Sequence, residues 1–210
     1  MLNIVIKETD AFFRAGLQCF LVDFFFHNFK HLLHFDGELS HENVSAADII
    51  FLSLCQGETL TCYPELQARK KGIILGLVSE EDMPELSPSC FSDIMYISRK
   101  SSLNNVMGRV ITIWNKWLAS QRMGELSHCL WCKRRQMSEH QFRIMEHIHQ
   151  GKAIKAIAKE LEMSSKTIYT HKYLVMHKFN LRNDSELKYF LDMLMKKENI
   201  SISFKQRVVR

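Results

Sequence analysis

MSEHQFRIMEHIHQGKAIKAIAKELEMSSKTIYTHKYLVMHKFNLRNDSEL, Met137 to Leu187 of a 210-residue chain, is the stretch whose reading decides the fold. Ser138 followed three positions later by Gln141 is a capping box, in which a hydroxyl and an amide satisfy the free N–H groups of a helix start. The apolar series Phe142, Met145, Ile148 then predicts a helix that Gly151 ends. Ala153 to Glu162 places Ile154, Ile157, Ala158 and Leu161 at i, i+3, i+4, i+7, on one face of a second helix. Ser164 and Ser165 offer N-caps for a third, which the pattern carries to about Phe179. Asn183 or Asp184 can cap a fourth, where Leu187, Phe190, Leu191 and Leu194 repeat the same spacing. Short helices punctuated in this way form a helix-turn-helix.

The third helix divides its chemistry between two faces. Successive residues turn by about 100° around a helix, so Lys166, Tyr169, Thr170, Tyr173 and His177 share a narrow sector. Ile168, His171, Val175 and Phe179 lie opposite and are expected to pack. The outward set holds hydroxyls, aromatic edges and a cation, with Lys172 and Lys178 on its flanks, which suits base edges between two phosphate rails. The expected partner is double-stranded DNA. His171 is read as a packed histidine, not as a ligand or base.

The same residues carry a family resemblance. Met137-Ser138, Ile144-Met145, Gly151, Ile157-Ala158, Leu161, Ser164, Thr167-Ile168, His171, Lys178-Phe179 and Asn183 stand in the register of the LuxR/FixJ helix-turn-helix, which the stretch resembles. The resemblance implies that the helix from Ser164 is the recognition helix, with Tyr169, Thr170 and Tyr173 facing bases. It also implies dimerisation through the fourth helix. His140-Gln141 replaces the family's Arg-Glu pair, and Tyr169 replaces a lysine, so the preferred DNA sequence does not carry over.

Charge supports the same partner. Residues 133–210 hold 17 Lys and Arg against 8 Asp and Glu, a net +9, which leaves −4 for the rest. A basic domain gains affinity for phosphate backbones by releasing their counterions. No basic amphipathic stretch stands apart from the motif, so a membrane partner is not expected. No apolar run approaches the length of a span, and MLNIVIKETD lacks the basic start and apolar stretch of a signal peptide, so the expectation is a cytoplasmic chain. Cys19, Cys55, Cys62, Cys90, Cys129 and Cys132 are scattered, which suits reduced thiols.

The N-terminal half alternates apolar bursts with amphipathic stretches. Asn3 to Ile6, His31 to Phe35, Asp48 to Leu54, Gly72 to Val78 and Asp93 to Ile97 read as short buried strands. Asp10 to Phe29 and Ser102 to Leu118 read as helices, which together give an α/β sandwich around a parallel sheet. Pro84 and Pro88 argue for a short or absent helix after Val78. Phe13-Arg14-Ala15-Gly16-Leu17, Ala47-Asp48-Ile49-Ile50-Phe51-Leu52 and Ser79 resemble, in order, the first helix, third strand and switch position of a response-regulator receiver. By that resemblance two adjacent acids should follow the first strand, and Glu8 and Thr9 stand there; the phospho-accepting Asp is Ser53. The lysine after the last strand is approximated by Arg99 or Lys100. One carboxylate does not replace three oxygen ligands of a hard cation, so the domain is expected to be a pseudo-receiver that needs no phosphorylation.

Other features have plainer readings. Trp114 and Trp117, at i, i+3, are expected to pack the last N-terminal helix, with an exposed dimerisation patch as the sharper alternative. Phe20, Phe24, Phe25, Phe26 and Phe29 exceed what one helical face needs; core packing is expected ahead of a partner surface. Cys129-Leu130-Trp131-Cys132 beside His128 lacks the second pair that a zinc site requires and is read as an incidental linker pair. Arg69-Lys70-Lys71 reads as a solvated loop, and Lys133-Arg134-Arg135 as linker or accessory phosphate contact.

The expectation is therefore a receiver-like α/β domain at 1–119, a linker at 120–136, an all-α four-helix helix-turn-helix domain at 137–200 and a basic tail at 201–210. It is a DNA-binding transcription regulator, not an enzyme, with no catalytic, metal or cofactor site. It would act as a homodimer or as a heterodimer with another regulator, and would touch RNA polymerase if it activates. The resemblance extends to enterobacterial regulators of surface structures such as fimbriae and capsule. The rival reading is a protein-interaction module that acts by capturing another regulator.

Overall fold

A computed structural model describes residues 1–80, 93–120 and 136–208, and side chains among these except 120 and 197–208. Contacts divide the chain into two compact units, residues 1–54 with 62–133, and residues 55–61 with 134–210.

The first unit is a five-stranded parallel sheet: β1 (Leu2–Lys7), β2 (Leu33–Asp36), β3 (Ile49–Ser53), β4 (Ile73–Val78) and β5 (Met95–Ser98), in the order β2-β1-β3-β4-β5. Its central strands β1, β3 and β4 are apolar on both faces because both faces are covered. Ile4, Ile6, Ile49, Phe51, Ile73, Leu75 and Leu77 face one cluster, with α1 (Ala11–Phe29) and α3 (Leu103–Ser120). Val5, Ile50, Leu52, Ile74 and Val78 face the other, with α2 (His41–Ala46), which Ser40 caps by accepting from Asn43 N–H at 3.1 Å. That short helix was not foreseen, and the second strand begins two residues later than its apolar burst. Between β3 and β4 the chain forms only two 3₁₀ turns, Glu58–Leu60 and Pro64–Ala68. The expected break after Val78 lies mostly outside the described residues.

Two glycines hold the sheet's geometry. Gly72 enters β4 with φ +80, and a Cβ there would lie 2.0 Å from the Asp48 carbonyl oxygen. A Cβ on Gly76 would lie 2.8 Å from the Tyr96 ring. Trp114 is buried and meets Phe25 edge-on at 6.3 Å, with the Trp117 ring tilted beside it at 5.0 Å, so the tryptophans pack as expected. Phe24 and Phe25 are core, whereas Phe26 is half exposed.

The second unit carries α4 (Glu139–His149), α5 (Ile154–Glu160), α6 (Ser165–Lys178) and α7 (Asp184–Val208). Ile144, Met145, Ile157, Ala158, Ile168, Val175, Met176, Phe179, Leu187, Phe190 and Leu191 form its core. Phe142, read as a core position, is only half-buried, and Ile144 joins Met145 in the core instead, with Ile148 packed against them. Residues 201–208, which carry no clear period, continue α7 as helix.

Candidate nucleic-acid interface

Each turn around α6 is closed by backbone bonds. Ser138 Oγ accepts from Gln141 N–H at 3.3 Å and the Gln141 side chain accepts from Ser138 N–H at 3.1 Å, completing the capping box of α4. Gly151, at φ +78, ends α4 in a six-to-one turn in which Lys152 N–H donates to His147 O at 3.1 Å. The same turn recurs after α5, where Met163 N–H donates to Ala158 O at 2.8 Å, but its left-handed position is Glu162 at φ 54. After α6 it recurs at Asn180, with Leu181 N–H donating to Met176 O at 2.8 Å. Ser164 starts α6 by accepting from Thr167 N–H at 3.0 Å, and Asn183 starts α7 by accepting from Glu186 N–H at 2.9 Å.

This framework aims α6. Ile168, Val175 and Phe179 are buried and His171 is half-buried, while Lys166, Tyr169, Thr170, Tyr173 and His177 are all exposed. Tyr173, at 61% exposure, is more open than Tyr169 at 45%. Thr170 Oγ1 donates to Lys166 O at 3.0 Å, which uses its proton and leaves its lone pairs and methyl group free to meet a base edge.

The two flanking lysines are placed differently from Lys166. The Lys172 ammonium lies 2.7 Å from an Asp184 carboxylate oxygen and 5.9 Å from the Tyr173 ring centre, and only 12% of its side chain is exposed. It clasps α6 to the start of α7. Lys178 is half-buried. The sequence pattern held no sign of the Asp184 clasp, because the two residues are twelve apart and meet only through the turn. Leu174, 51% exposed on α6, was also not singled out.

The N-terminal unit holds a second polar group, at the C-terminal edge of its sheet. Sheets of this order place ligands at that edge, where neighbouring connections diverge. Glu8 follows β1, Ser53 ends β3 and Arg99 follows β5. Ser53 Oγ donates to Glu8 Oε2 at 2.6 Å, Asp10 N–H donates to Oε1 at 2.9 Å, and the Arg99 guanidinium donates to both Glu8 Oε2 and Ser53 Oγ. Arg99 also lies 4.2 Å over the Phe13 ring, whereas Lys100 is exposed. Burial pushes the Glu8 pKa up, but the Ser53 hydroxyl, the Asp10 amide and the Arg99 charge outweigh it and hold it below the ordinary value. A divalent cation does not fit here: both oxygens of this carboxylate already accept from donors, Thr9 is exposed, and Arg99 supplies the positive charge. Among the described residues, no group of His, Cys, Asp or Glu is arranged to hold a metal ion. Cys129, Cys132 and Lys133-Arg134-Arg135 lie outside the described residues.

The chain thus holds a parallel α/β unit and, after it, a helix-turn-helix with an open polar face. Residues 135–191 match the luxR family of bacterial regulatory proteins, GerE, and form a LuxR-family helix-turn-helix domain. No curated protein sequence matches the chain. Solved structures that resemble it include the two-component response regulator RcsB in complex with DNA, at 17% identity and TM-score 0.48 over 91% of this chain and 98% of that one. RcsB from Salmonella enterica serovar Typhimurium, bound to promoter rprA with phosphomimetic BeF3-, resembles it at 17% identity and TM-score 0.42 over 91% and 99%. The response regulator ChrA of a heme-sensing two-component system resembles it at 13% identity and TM-score 0.38 over 92% and 98%. Among the described residues no helix is long and apolar enough to cross a membrane.

Proposed function

We propose that this chain is a sequence-specific transcription regulator that reads double-stranded DNA with α6 and works without phosphorylation of its N-terminal domain. The observation that carries the reading is the exposed row Lys166, Tyr169, Thr170, Tyr173 and His177 on a capped helix of a LuxR-family domain. Nothing in the core of that domain needs those side chains, and a major groove uses their hydroxyls, ring edges and charge. Lys172 and Lys178 then act from the flanks, Lys172 mainly by fixing α6 and Tyr173.

The N-terminal domain is a pseudo-receiver on this reading. Arg99 stands in for a bound cation, and Ser53 stands where a carboxylate would take a phosphoryl group. The protein acts in the cytoplasm as a dimer, with itself or with another regulator, and touches RNA polymerase where it activates. Genes for surface structures such as fimbriae or capsule are the targets that the resemblance implies.

The test is competition between genome-selected and scrambled duplexes across a salt series. Preference for the selected duplex that Tyr169→Ala and Tyr173→Ala abolish supports the reading; full preference in both folded variants overturns it. Acetyl phosphate with magnesium should add no mass to the intact protein. A phosphoryl adduct that Ser53→Ala removes would overturn phosphorylation independence.

A further inference from the structure

α6 is short of the side chains that pick out bases by paired hydrogen bonds. Between Ser165 and Lys178 it holds no Arg, Asn or Gln, the forked side chains that grip guanine or adenine with two bonds at once. Thr170 turns its hydroxyl hydrogen back to Lys166 O at 3.0 Å, so it offers a base no donor. A reading helix of this composition needs another means of discrimination.

An apolar side chain supplies it. Leu174 is 51% exposed and takes no part in the C-terminal core, either among its buried residues or among the side chains packed against them. A single exposed leucine is ordinary on a protein surface, and it is the position of this one that sets it apart. At about 100° per residue, Leu174 stands about 40° around the helix from Thr170 and one turn beyond it. That is on the exposed face, nearer the centre of the polar row than Lys172 or Lys178. Tyr173 precedes it with an open ring, so the face carries an apolar strip inside its flanking cations.

The methyl group of thymine is the apolar feature of a major groove. We propose that Leu174 is a specificity-determining residue whose isobutyl group covers the methyl group of a thymine in the bound DNA. This rests on the DNA-binding reading of α6 and adds a base to it. Cytosine lacks that methyl group and forfeits the contact. A purine in the same place presents polar ring and exocyclic atoms, which an isobutyl group strips of water without replacing their hydrogen bonds. Leu174 therefore discriminates against the other three bases without making a hydrogen bond of its own.

The test uses the full chain and the duplexes it selects from a random library. Each thymine of the selected site is replaced in turn by uracil, which removes the methyl group and keeps the hydrogen-bonding edges, and affinity is read by fluorescence anisotropy. At least one replacement should weaken binding about fourfold, the worth of one buried methyl group. Leu174→Ala should bind the thymine and uracil duplexes alike at that position. Its exposure makes the change harmless to folding, which circular dichroism checks. Leu174→Asn, which puts a forked amide in the same place, should shift the base preferred there from thymine to adenine in a repeated selection.

Indifference to uracil at every thymine, or a loss that persists undiminished in Leu174→Ala, would overturn the assignment. Equal weakening of both duplexes by Leu174→Ala would do the same and would place the leucine in a protein contact. These results leave the DNA-binding reading intact while the selected duplex is preferred to its scrambled version. A selection that enriches no sequence sinks both.

Discussion

The polar cluster around Glu8 and the polar row along α6 are opposite in kind. Around Glu8, donors and acceptors answer one another: carboxylate, hydroxyl, amide and guanidinium are joined within a few side chains. Along α6, Lys166, Tyr169, Tyr173 and His177 are turned to solvent while the framework beneath them is closed by caps and backbone bonds. A closed cluster fixes structure, whereas an open one on a fixed framework is suited to a ligand. The sheet edge that could have been reactive is a fastener, and the proposed binding chemistry lies on α6.

The largest expected effect tests the framework under the open cluster. Val175 is fully buried on the face of α6 opposite the tyrosines. Val175→Asp places a charge there without a partner, at a cost on the order of 5 kcal/mol, which is comparable to a small domain's whole stability. Circular dichroism should show the C-terminal helices lost. A folded Val175→Asp chain would mean that the two faces of α6 have been exchanged.

Next come the open side chains themselves. Tyr169→Ala, Thr170→Ala and Tyr173→Ala should each cost about 1–3 kcal/mol on a specific site and leave binding to random duplex unchanged. Lys166→Ala should weaken both duplexes and lower the salt slope by about one. Lys172→Ala should lower it less, because Asp184 already compensates that charge, and should instead lower the melting temperature. Equal slopes for the two lysine variants would show that Lys172 leaves Asp184 to meet a phosphate.

The closed cluster should respond in stability and not in DNA binding. Glu8→Gln leaves Arg99 without its anion and should cost about 1–2 kcal/mol at neutral pH, less than a fully buried pair because 31% of the Arg99 side chain is exposed. Glu8 has a lowered pKa in the folded chain, so its contribution is present above the ordinary value of 4.5 and is lost as pH falls through the lower folded value. Urea unfolding of the two proteins should therefore differ at pH 7 and converge in strong acid. A constant gap at every pH would remove the ion pair from the account.

The sequence made some of this legible and not the rest, for physical reasons. Periodicity placed α4 to α6 and the two faces of α6, since burial on a short helix repeats with the helical turn. It also gave the five strands, because sheets covered on both sides need uninterrupted apolar runs such as Ile73–Val78. What it missed depends on distant partners. Arg99 and Lys100 are equivalent as letters, and only the stacking on Phe13 and the reach to Glu8 separate them. The Lys172–Asp184 clasp was hidden in the same way. The phenylalanines of α1 showed an excess, but only the packed helix divides Phe24 and Phe25 from Phe26.

The smallest effect lies in the turn that aims α6. Glu162 occupies the left-handed position after α5 at φ 54, where the corresponding turn after α4 has Gly151 at φ 78. A side chain in that conformation crowds its own backbone, and glycine adopts it without strain, although glycine also gives the unfolded chain more freedom to lose. The two effects oppose each other, so Glu162→Gly should stabilise the C-terminal domain by only about 0.5 kcal/mol. Its DNA affinity should not change, because the Met163 N–H to Ala158 O bond that closes the turn does not involve the Glu162 side chain. Thermal unfolding and duplex titration of the same variant separate the two quantities. A loss of specific affinity with the stability gain would place Glu162 among the side chains that meet DNA, and the boundary between closed framework and open face would then run through this turn instead of along α6.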